Sequence, residues 1–283
     1  MNYLIYNKKA DNGHGCCAAK EKAKELEGYF GSFEMIDSNT IDLNEFSKSL
    51  KAEDSLVLCG GDGTINYFIN HVEDLDNLPY QFYFVESGTG NDFVRDIEID
   101  LEKGCYHIND YVKGLPVVEV KGQKYRFVNG IGFGIDGECC KKADELKEKG
   151  AKKIDYTGIT VKLLLFKYKA PNATVVLDDG EELYYKKTYL ASVMNGQFYG
   201  GGMQVAPEQK RNSKELSFVV LSGTNRVNAL MNFPSIFKGE LVKKTKICQA
   251  HKCKKATVKF DHPTALQIDG ETIKDVLEYS VSF

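Results

Sequence analysis

The stretch Ser55-Leu-Val-Leu-Cys-Gly-Gly-Asp-Gly-Thr-Ile-Asn66 starts as an apolar run and breaks into three glycines around one aspartate. About one helix-length later the pattern recurs in Phe82-Tyr-Phe-Val-Glu-Ser-Gly-Thr-Gly-Asn-Asp-Phe93. A short apolar run that ends in glycine and passes into a helical pattern predicts a buried strand of a parallel α/β sheet. Such a turn leaves backbone N–H groups unpaired at the mouth of the next helix. With the positive end of the helix dipole they form an anion site. Gly60, Gly61 and Gly63 fit that role after the first run, and Gly88 and Gly90 after the second, with Thr64 and Thr89 as hydroxyl donors. A carboxylate beside a polyphosphate is repelled unless a cation lies between them. Asp62 and Asp92 are therefore expected to reach Mg2+, directly or through water. Gly and Asp are also common in ordinary turns, but two such breaks at successive strand ends favour phosphate.

Outward from these breaks, Tyr3–Tyr6 predicts an opening strand and Cys16–Phe30 an amphipathic Lys/Glu-rich helix. Met35-Ile36 predicts a short strand and Leu43–Leu50 a short helix. Residues 1–115 thus read as an α/β nucleotide-binding domain with a Rossmann-like parallel sheet. After Pro116 the texture turns β-rich. Val117–Val120 with Tyr125–Val128, and Ala173–Leu177 with Leu183–Val193, predict hairpins. Leu216–Leu221, Ala256–Phe260, Leu266–Ile268 and Tyr279–Phe283 predict further strands, and helical patterns are confined to Glu138–Lys149, Ile159–Tyr168 and Val227–Val242. Residues 116–283 are expected to form a second domain of β-sandwich type.

Lys and Arg number 37 against 40 Asp and Glu, a formal charge of −3. That balance argues against a general nucleic-acid binder, so no nucleic acid is expected as a partner. Met1-Asn-Tyr-Leu-Ile-Tyr-Asn7 reads as a strand entered at once rather than a signal peptide, and no stretch reaches the roughly 20 apolar residues of a spanning helix. The eight cysteines are then expected as reduced thiols in a cytoplasmic protein. Cys248-Gln-Ala-His-Lys-Cys253 offers three soft ligands that Zn2+ would accept, but a fourth is not in sight, and cysteines at strand ends are the plainer explanation. Gly132-Phe-Gly-Ile-Asp-Gly137 satisfies the G-x-G-x-x-G of dinucleotide turns. Hairpin texture follows it, however, rather than another βα unit. A Walker A loop is absent from the sequence.

Gly60-Gly-Asp-Gly-Thr64 and Gly88-Thr-Gly-Asn-Asp-Phe-Val-Arg95 resemble the two signature motifs of the diacylglycerol kinase catalytic-domain family. That family includes bacterial lipid kinases and sphingosine kinases, with NAD kinases as distant relatives. Asn7 with Gly13–Gly15 looks like its first nucleotide loop, and Phe127-Val-Asn-Gly-Ile-Gly-Phe-Gly134 like its domain-joining stretch. Tyr199-Gly-Gly-Gly-Met203 with Ala206-Pro207, and Gln267-Ile-Asp-Gly-Glu271, are similar to motifs of its sandwich domain. The resemblance implies an active site in the cleft between the domains, holding ATP and Mg2+, with nucleotide contacts from Asn7, the glycines, Thr64, Thr89 and Asn91. It implies transfer of the γ-phosphoryl group to a lipid hydroxyl, with diacylglycerol the leading acceptor. It carries the general base onto Glu271, with Asp269 beside it and Asp62 in the catalytic set. An alcohol attacking phosphorus must lose its proton, which is the physical reason for such a base. Taken alone, Asp269-Gly-Glu271 would read as a hairpin turn. Arg211-Asn-Ser-Lys-Glu-Leu-Ser-Phe218 stands where the family has an acidic Asp-Gly pair, which puts a second, structural ion in doubt. The alternatives are NAD kinase-like transfer to a soluble acceptor, and a nucleotide-binding regulator with impaired catalysis.

A lipid acceptor implies peripheral membrane association. Ile159–Lys169, with Leu163-Leu-Leu-Phe166 among Lys162, Lys167 and Lys169, is the candidate contact. A packed helix whose lysines snorkel is the commoner explanation of such a pattern. A homodimer is compatible with the same reading.

Overall fold

The computed structural model describes residues 1–88, 90–97, 104–151 and 154–283, without the side chains of residues 11 and 12. Thr89, expected as a nucleotide contact, lies outside the described residues. The chain divides into two units, Met1–Leu115 and Pro116–Phe283.

Unit 1 runs β1 (Asn2–Tyr6), α1 (Ala10–Gly13), α2 (Gly15–Phe30), β2 (Glu34–Asp37), α3 (Leu43–Ser49), β3 (Ser55–Gly60), α4 (Asp62–His71), β4 (Gln81–Glu86), β5 (Cys105–His107) and α5 (Asn109–Val112). Its sheet has the order β2-β1-β3-β4-β5, parallel except for β5, which is antiparallel to β4. The unbroken apolar run of β3 follows from cover on both faces. Val57 and Cys59 pack with Ala19 and Leu26 of α2, and the alternate residues Leu56 and Leu58 are buried on the opposite side. α3 starts where Asp42 accepts hydrogen bonds from the N–H groups of Asn44 and Glu45, a side-chain cap that fixes the helix start. Both glycine breaks fall at the carboxyl ends of neighbouring parallel strands, the edge at which open α/β sheets bind ligands.

Unit 2 contains β6 (Val117–Val120), β7 (Gln123–Arg126), β8 (Gly130–Gly134), α6 (Ile135–Glu148), α7 (Tyr156–Lys162), β9 (Ala173–Leu177), β10 (Glu182–Tyr185), β11 (Leu190–Met194), β12 (Phe198–Tyr199), β13 (Met203–Gln204), β14 (Leu216–Leu221), α8 (Arg226–Asn232), β15 (Cys248–Cys253), β16 (Lys255–Ile268) and β17 (Glu271–Ser282). One antiparallel sheet follows the order β15-β14-β11-β8-β16-β17-β6-β7, with the β9–β10 hairpin joined through β16. The register of β16 against β17 slips between Lys259 and Thr264 and again before Leu266. Bulges of this kind bend a strand, and Pro263, which cannot donate to a ladder, sits in the slip. The first half of β16 pairs with β9 and its last residues pair with β8, so the strand serves both layers of a sandwich-like fold. The core between them includes Phe133, Phe218, Phe260 and Tyr279, with the Phe133 and Phe260 rings stacked 3.8 Å apart. On the outer side of β11 and β14, Leu190, Met194, Val219 and Leu221 form a second core with Leu164, Ala229 of α8 and Ile236.

Several boundaries differ from those predicted. Leu183–Val193 is two strands, β10 and β11, with Lys187 between them at a positive φ of 51°. Ala256–Phe260 and Leu266–Ile268 are one bulged strand. The helix predicted over Val227–Val242 stops at Asn232, because Pro234 disfavours further α-helix, and it continues as 3-10 turns at Phe233–Lys238 and Leu241–Lys243. β8 lies between β11 and β16 yet alternates glycine with apolar residues, which hid it as a strand. Cys248 and Cys253 open and close β15 on opposite faces, one in each core, so they cannot share an ion. Burial pushes both thiols up to about 12. His251 meets the Tyr185 hydroxyl instead. Among the described residues no helix is long and apolar enough to cross a membrane.

Candidate active site

The two glycine breaks of unit 1 are tied to each other. Asp62, the first residue of α4, accepts from the Asp92 N–H at Oδ2 and from the Phe93 N–H at Oδ1, both at 2.9 Å. Its own N–H donates to the Gly90 carbonyl at 2.8 Å. Gly61 has to be glycine for this approach, since a Cβ there would lie 2.7 Å from the Gly90 oxygen. The glycines thus let one turn pack on the other, where the sequence suggested phosphate approach alone. Asp92 is only 2% exposed and its Oδ1 pairs with Arg95 Nε at 3.2 Å.

The acids expected at Mg2+ are therefore also engaged within the protein. Among the described residues no group of three His, Cys, Asp or Glu could hold a metal by protein ligands alone, whereas Mg2+ is usually held by one or two carboxylates with water and phosphate oxygens. N–H groups opening a helical turn lack intrahelical partners and are fixed in place, so Asp62 accepts from them while each of its oxygens keeps a further lone pair. Asp62 and Asp92 are thus held in place by protein groups, and they would reach Mg2+ through their remaining lone pairs or through water.

A nucleotide fits as well. Asn7 Oδ1 accepts from the Lys9 N–H and from Asn39 Nδ2, shaping the turn into α1. Thr64 and Gly63 lie in the first turn of α4, and the Thr64 N–H bends back to the Gly61 carbonyl. Asn91 Nδ2 donates to Glu86 Oε2 at 2.6 Å and to the Gly88 carbonyl at 3.0 Å. Asn91 Oδ1, by contrast, is buried and meets no donor among the described residues. A buried orphan acceptor is costly, and a ribose hydroxyl or adenine amine would satisfy it.

In unit 2, Asp269 and Gly270 link β16 to β17 with φ of 47° and 94°, and Ile268 pairs with Glu271. Positive φ at both positions is the two-residue turn that a hairpin favours, so the backbone here is a hairpin turn. The Asp269 side chain does more. Its Oδ2 accepts from the Val128 N–H at 2.7 Å, and its Oδ1 from the N–H groups of Asn129 at 2.8 Å and Gly130 at 3.0 Å. Buried Arg211 donates to the Val128 carbonyl and to Asn129 Oδ1. Residues 128–130 are held between a fixed anion and a fixed cation, and Asp269 is a brace. Glu271, expected as the base, is exposed at the start of β17 and meets no donor among the described residues. Its lone pairs remain open to a proton.

Beside this turn lies a cavity of about 90 Å³ that the sequence did not disclose. Its walls are mostly apolar, with Cys139, Leu190, Met203, Leu221, Phe233 and Leu241 among them, and Gln267 and Gly270 also line it. Asp136, in the first turn of α6, reaches it from behind. The Tyr199 hydroxyl donates to Asp136 Oδ2 at 2.7 Å, and Gly132 must be glycine because a Cβ there would overlap the carboxylate. Among the described residues Asp136 Oδ1 and the nearby Gln267 Nε2, both buried, meet no well-formed partner, although Gln267 and the N–H groups of Asp136 and Gly137 lie close enough to favour the charged carboxylate. Burial pushes the Asp136 carboxyl up to about 6, against the opposing Tyr199 bond. Asp136 belongs to the G-x-G-x-x-G look-alike, where it reads as a turn residue, and the apolar walls read as core. The one available signal was an acid embedded in an otherwise apolar strand-to-helix junction.

The Diacylglycerol kinase catalytic domain matches residues 2–117, and the YegS C-terminal NAD kinase beta sandwich-like domain matches residues 129–278. The chain belongs to the diacylglycerol kinase catalytic-domain family. Two bacterial proteins that carry the name "Putative lipid kinase" are similar to it. YtlR of Bacillus subtilis is 26% identical over 183 residues, 59% of this chain and 57% of that protein. SAR0780 of Staphylococcus aureus is 25% identical over 253 residues, 83% of this chain and 78% of that protein. The match to YtlR thus spans little more than half of that relative's length. A diacylglycerol kinase structure from Bacillus anthracis superposes over the whole chain and 93% of its own length with a TM-score of 0.63 at 17% identity, which shows the fold.

Proposed function

We propose that this protein is an ATP-dependent lipid kinase that phosphorylates a lipid hydroxyl, with diacylglycerol the leading acceptor. The observation that carries this reading is the cavity of unit 2. Its hydrocarbon walls with Asp136 and Gln267 among them suit apolar chain beside a small polar group, and at about 90 Å³ it takes only a short piece of chain, the rest of an acceptor lying outside it. A soluble dinucleotide would leave the apolar walls without use. Gly270 lines the cavity and immediately precedes Glu271. Glu271 is exposed and does not line the cavity itself, so an acceptor head must reach past Gly270 to meet its carboxylate.

ATP, when bound, supplies the phosphoryl group. The glycine breaks and Asn91 Oδ1 are assigned to the nucleotide. Glu271 takes the proton from the acceptor hydroxyl as its oxygen bonds to phosphorus and ADP departs. Asp269 keeps residues 128–130 and the β16–β17 turn in register, and Asp136 with Gln267 orients the head group. The test is a kinase assay against a panel of short-chain lipids, with NAD included. Phosphorylated lipid is expected, and Glu271→Gln should lower kcat by roughly 10²–10⁴-fold with ATP affinity retained. Label on NAD alone, or ATP turnover indifferent to every acceptor, would overturn the proposal.

A further inference from the structure

The face outside the cavity poses a separate question. α7 runs into a π-helical turn, Leu163–Lys167, and α8 packs against that turn. Arg226 at the start of α8 donates to the Tyr168 carbonyl at 2.9 Å and ties the two together. Leu164 and Ala229 point into the core, as an amphipathic packing requires. The opposite sides are not polar. Phe166 is 74% exposed and Met231 75%, with Leu165 and Val227 also exposed. Val227 and Met231 are four residues apart on α8 and share one face. The apolar exposure continues to the cavity itself, because Phe237 and Tyr156 are both exposed and both line it, and Phe233 packs edge-on against Phe237. Soluble proteins scatter single exposed apolar side chains, but a set grouped on adjoining elements marks a contact surface.

Charge identifies the occupant. Residues 156–169 carry Lys162, Lys167 and Lys169 and no acid. Residues 226–246 carry five basic side chains and one acid, Glu240. The chain as a whole has a formal charge of −3, so these two segments are basic against an acidic background, with Glu138 and Glu145 flanking Lys167 on one side. Apolar tips inside a basic ring match an anionic bilayer, where the tips enter the acyl boundary and the lysines meet phosphate groups. A protein partner of matching character would have to supply its own acidic ring around an apolar groove.

We propose that the exposed sides of the 163–167 π-turn and of α8 form a membrane-docking face that seats unit 2 on an anionic lipid surface with the rim of its cavity at the bilayer. The role given to the cavity rests on the lipid-kinase reading above, but the docking face stands on its own geometry. The packed-helix explanation of Ile159–Lys169 holds for Ile159, Leu164 and Tyr168, which are buried, but Leu165 and Phe166 are left in water.

The chain contains no tryptophan, so one introduced residue reports on one position. Phe166→Trp and Met231→Trp are made in the full chain, with Tyr184→Trp on β10 as an exposed control. The probe is a vesicle of phosphatidylglycerol and phosphatidylcholine, with and without brominated acyl chains. At positions 166 and 231 the emission should shift to the blue and be quenched by bromine, while position 184 stays unchanged. Binding should weaken as salt rises, and Lys162→Glu with Lys167→Glu should lower vesicle affinity on the order of tenfold or more. Activity on a short-chain soluble acceptor should survive these charge changes, which separates failure of docking from failure of catalysis. Vesicle binding without lipid phosphorylation would sink the kinase reading and leave the face standing. No blue shift at 166 and 231, an equal shift at 184, or a shift that appears without vesicles as protein concentration rises would overturn the docking face, the last in favour of contact between two copies.

Discussion

The glycine breaks of unit 1 and the cavity of unit 2 use acids in opposite ways. At the breaks, Asp62 accepts two backbone N–H groups from the neighbouring turn and Asp92 pairs with Arg95. In the cavity, Asp136 has one buried oxygen that meets no well-formed partner among the described residues. Sequence patterns drew attention to the first region, where the acids are engaged in holding backbone, and passed over the second, where an acid is left over. A residue type at a motif position says what chemistry is available. Only its partners say whether that chemistry is already used. Asp269 makes the same point within unit 2, since its carboxylate braces three N–H groups while its exposed neighbour Glu271 meets none.

That contrast breaks most easily at the braces. Asp269→Ala leaves three buried N–H groups without that acceptor, a loss of about 3–9 kcal/mol at the usual cost per orphaned donor. Asp62→Ala leaves two partly buried donors and should cost about 2–4 kcal/mol. Denaturant unfolding without any added metal measures both. If Asp62 is chiefly a metal ligand, its variant will unfold like the wild type, and Mg2+ will stabilise the wild type alone.

Asp136 should behave with the opposite sign, and by less. Its carboxyl titrates near 6 when folded against 3.8 as its ordinary value. Below about pH 4 both states hold the proton and nothing is lost. As pH rises through 6 the folded state must ionise a buried group, and stability falls by about 3 kcal/mol over that window. Asp136→Asn keeps the Tyr199 contact and removes the ionisation, so the variant should match the wild type near pH 4 and exceed it at pH 7.5. Thermal unfolding across pH shows which holds. A variant less stable at pH 7.5 would mean that the acid is satisfied in solution. Gain of stability with loss of lipid turnover is the pattern of a site kept strained for function.

What was legible in the sequence follows from the same physics. The parallel sheet of unit 1 was readable because strands covered on both faces are apolar throughout, as Ser55–Gly60 is. The layered β character of unit 2 was readable from its hairpins. Its central strand was not, because Gly130, Gly132 and Gly134 remove the side chains that signal a strand, and Gly132 does so to make room for Asp136. Glycine selected for close approach looks the same in sequence as glycine selected for a turn. Asp62 and Asp269 were legible as positions, but the backbone groups they hold were not, since those partners lie 30 and about 140 residues away. The exposed side of α8 was not legible at all, because Val227 and Met231 differ from core residues only in what the fold leaves uncovered.

The central claim is that an acceptor lipid enters the unit 2 cavity, and filling that cavity tests it most directly. Met203 lines the cavity without belonging to either brace. Transfer of label from γ-labelled ATP to dioctanoylglycerol should be measured for the wild type and for Met203→Trp, with NAD as a competing acceptor. The account predicts labelled lipid from the wild type, and for the variant a fall in kcat/KM for lipid of tenfold or more with KM for ATP unchanged. Label on NAD, or a lipid rate indifferent to the filled cavity, would contradict it.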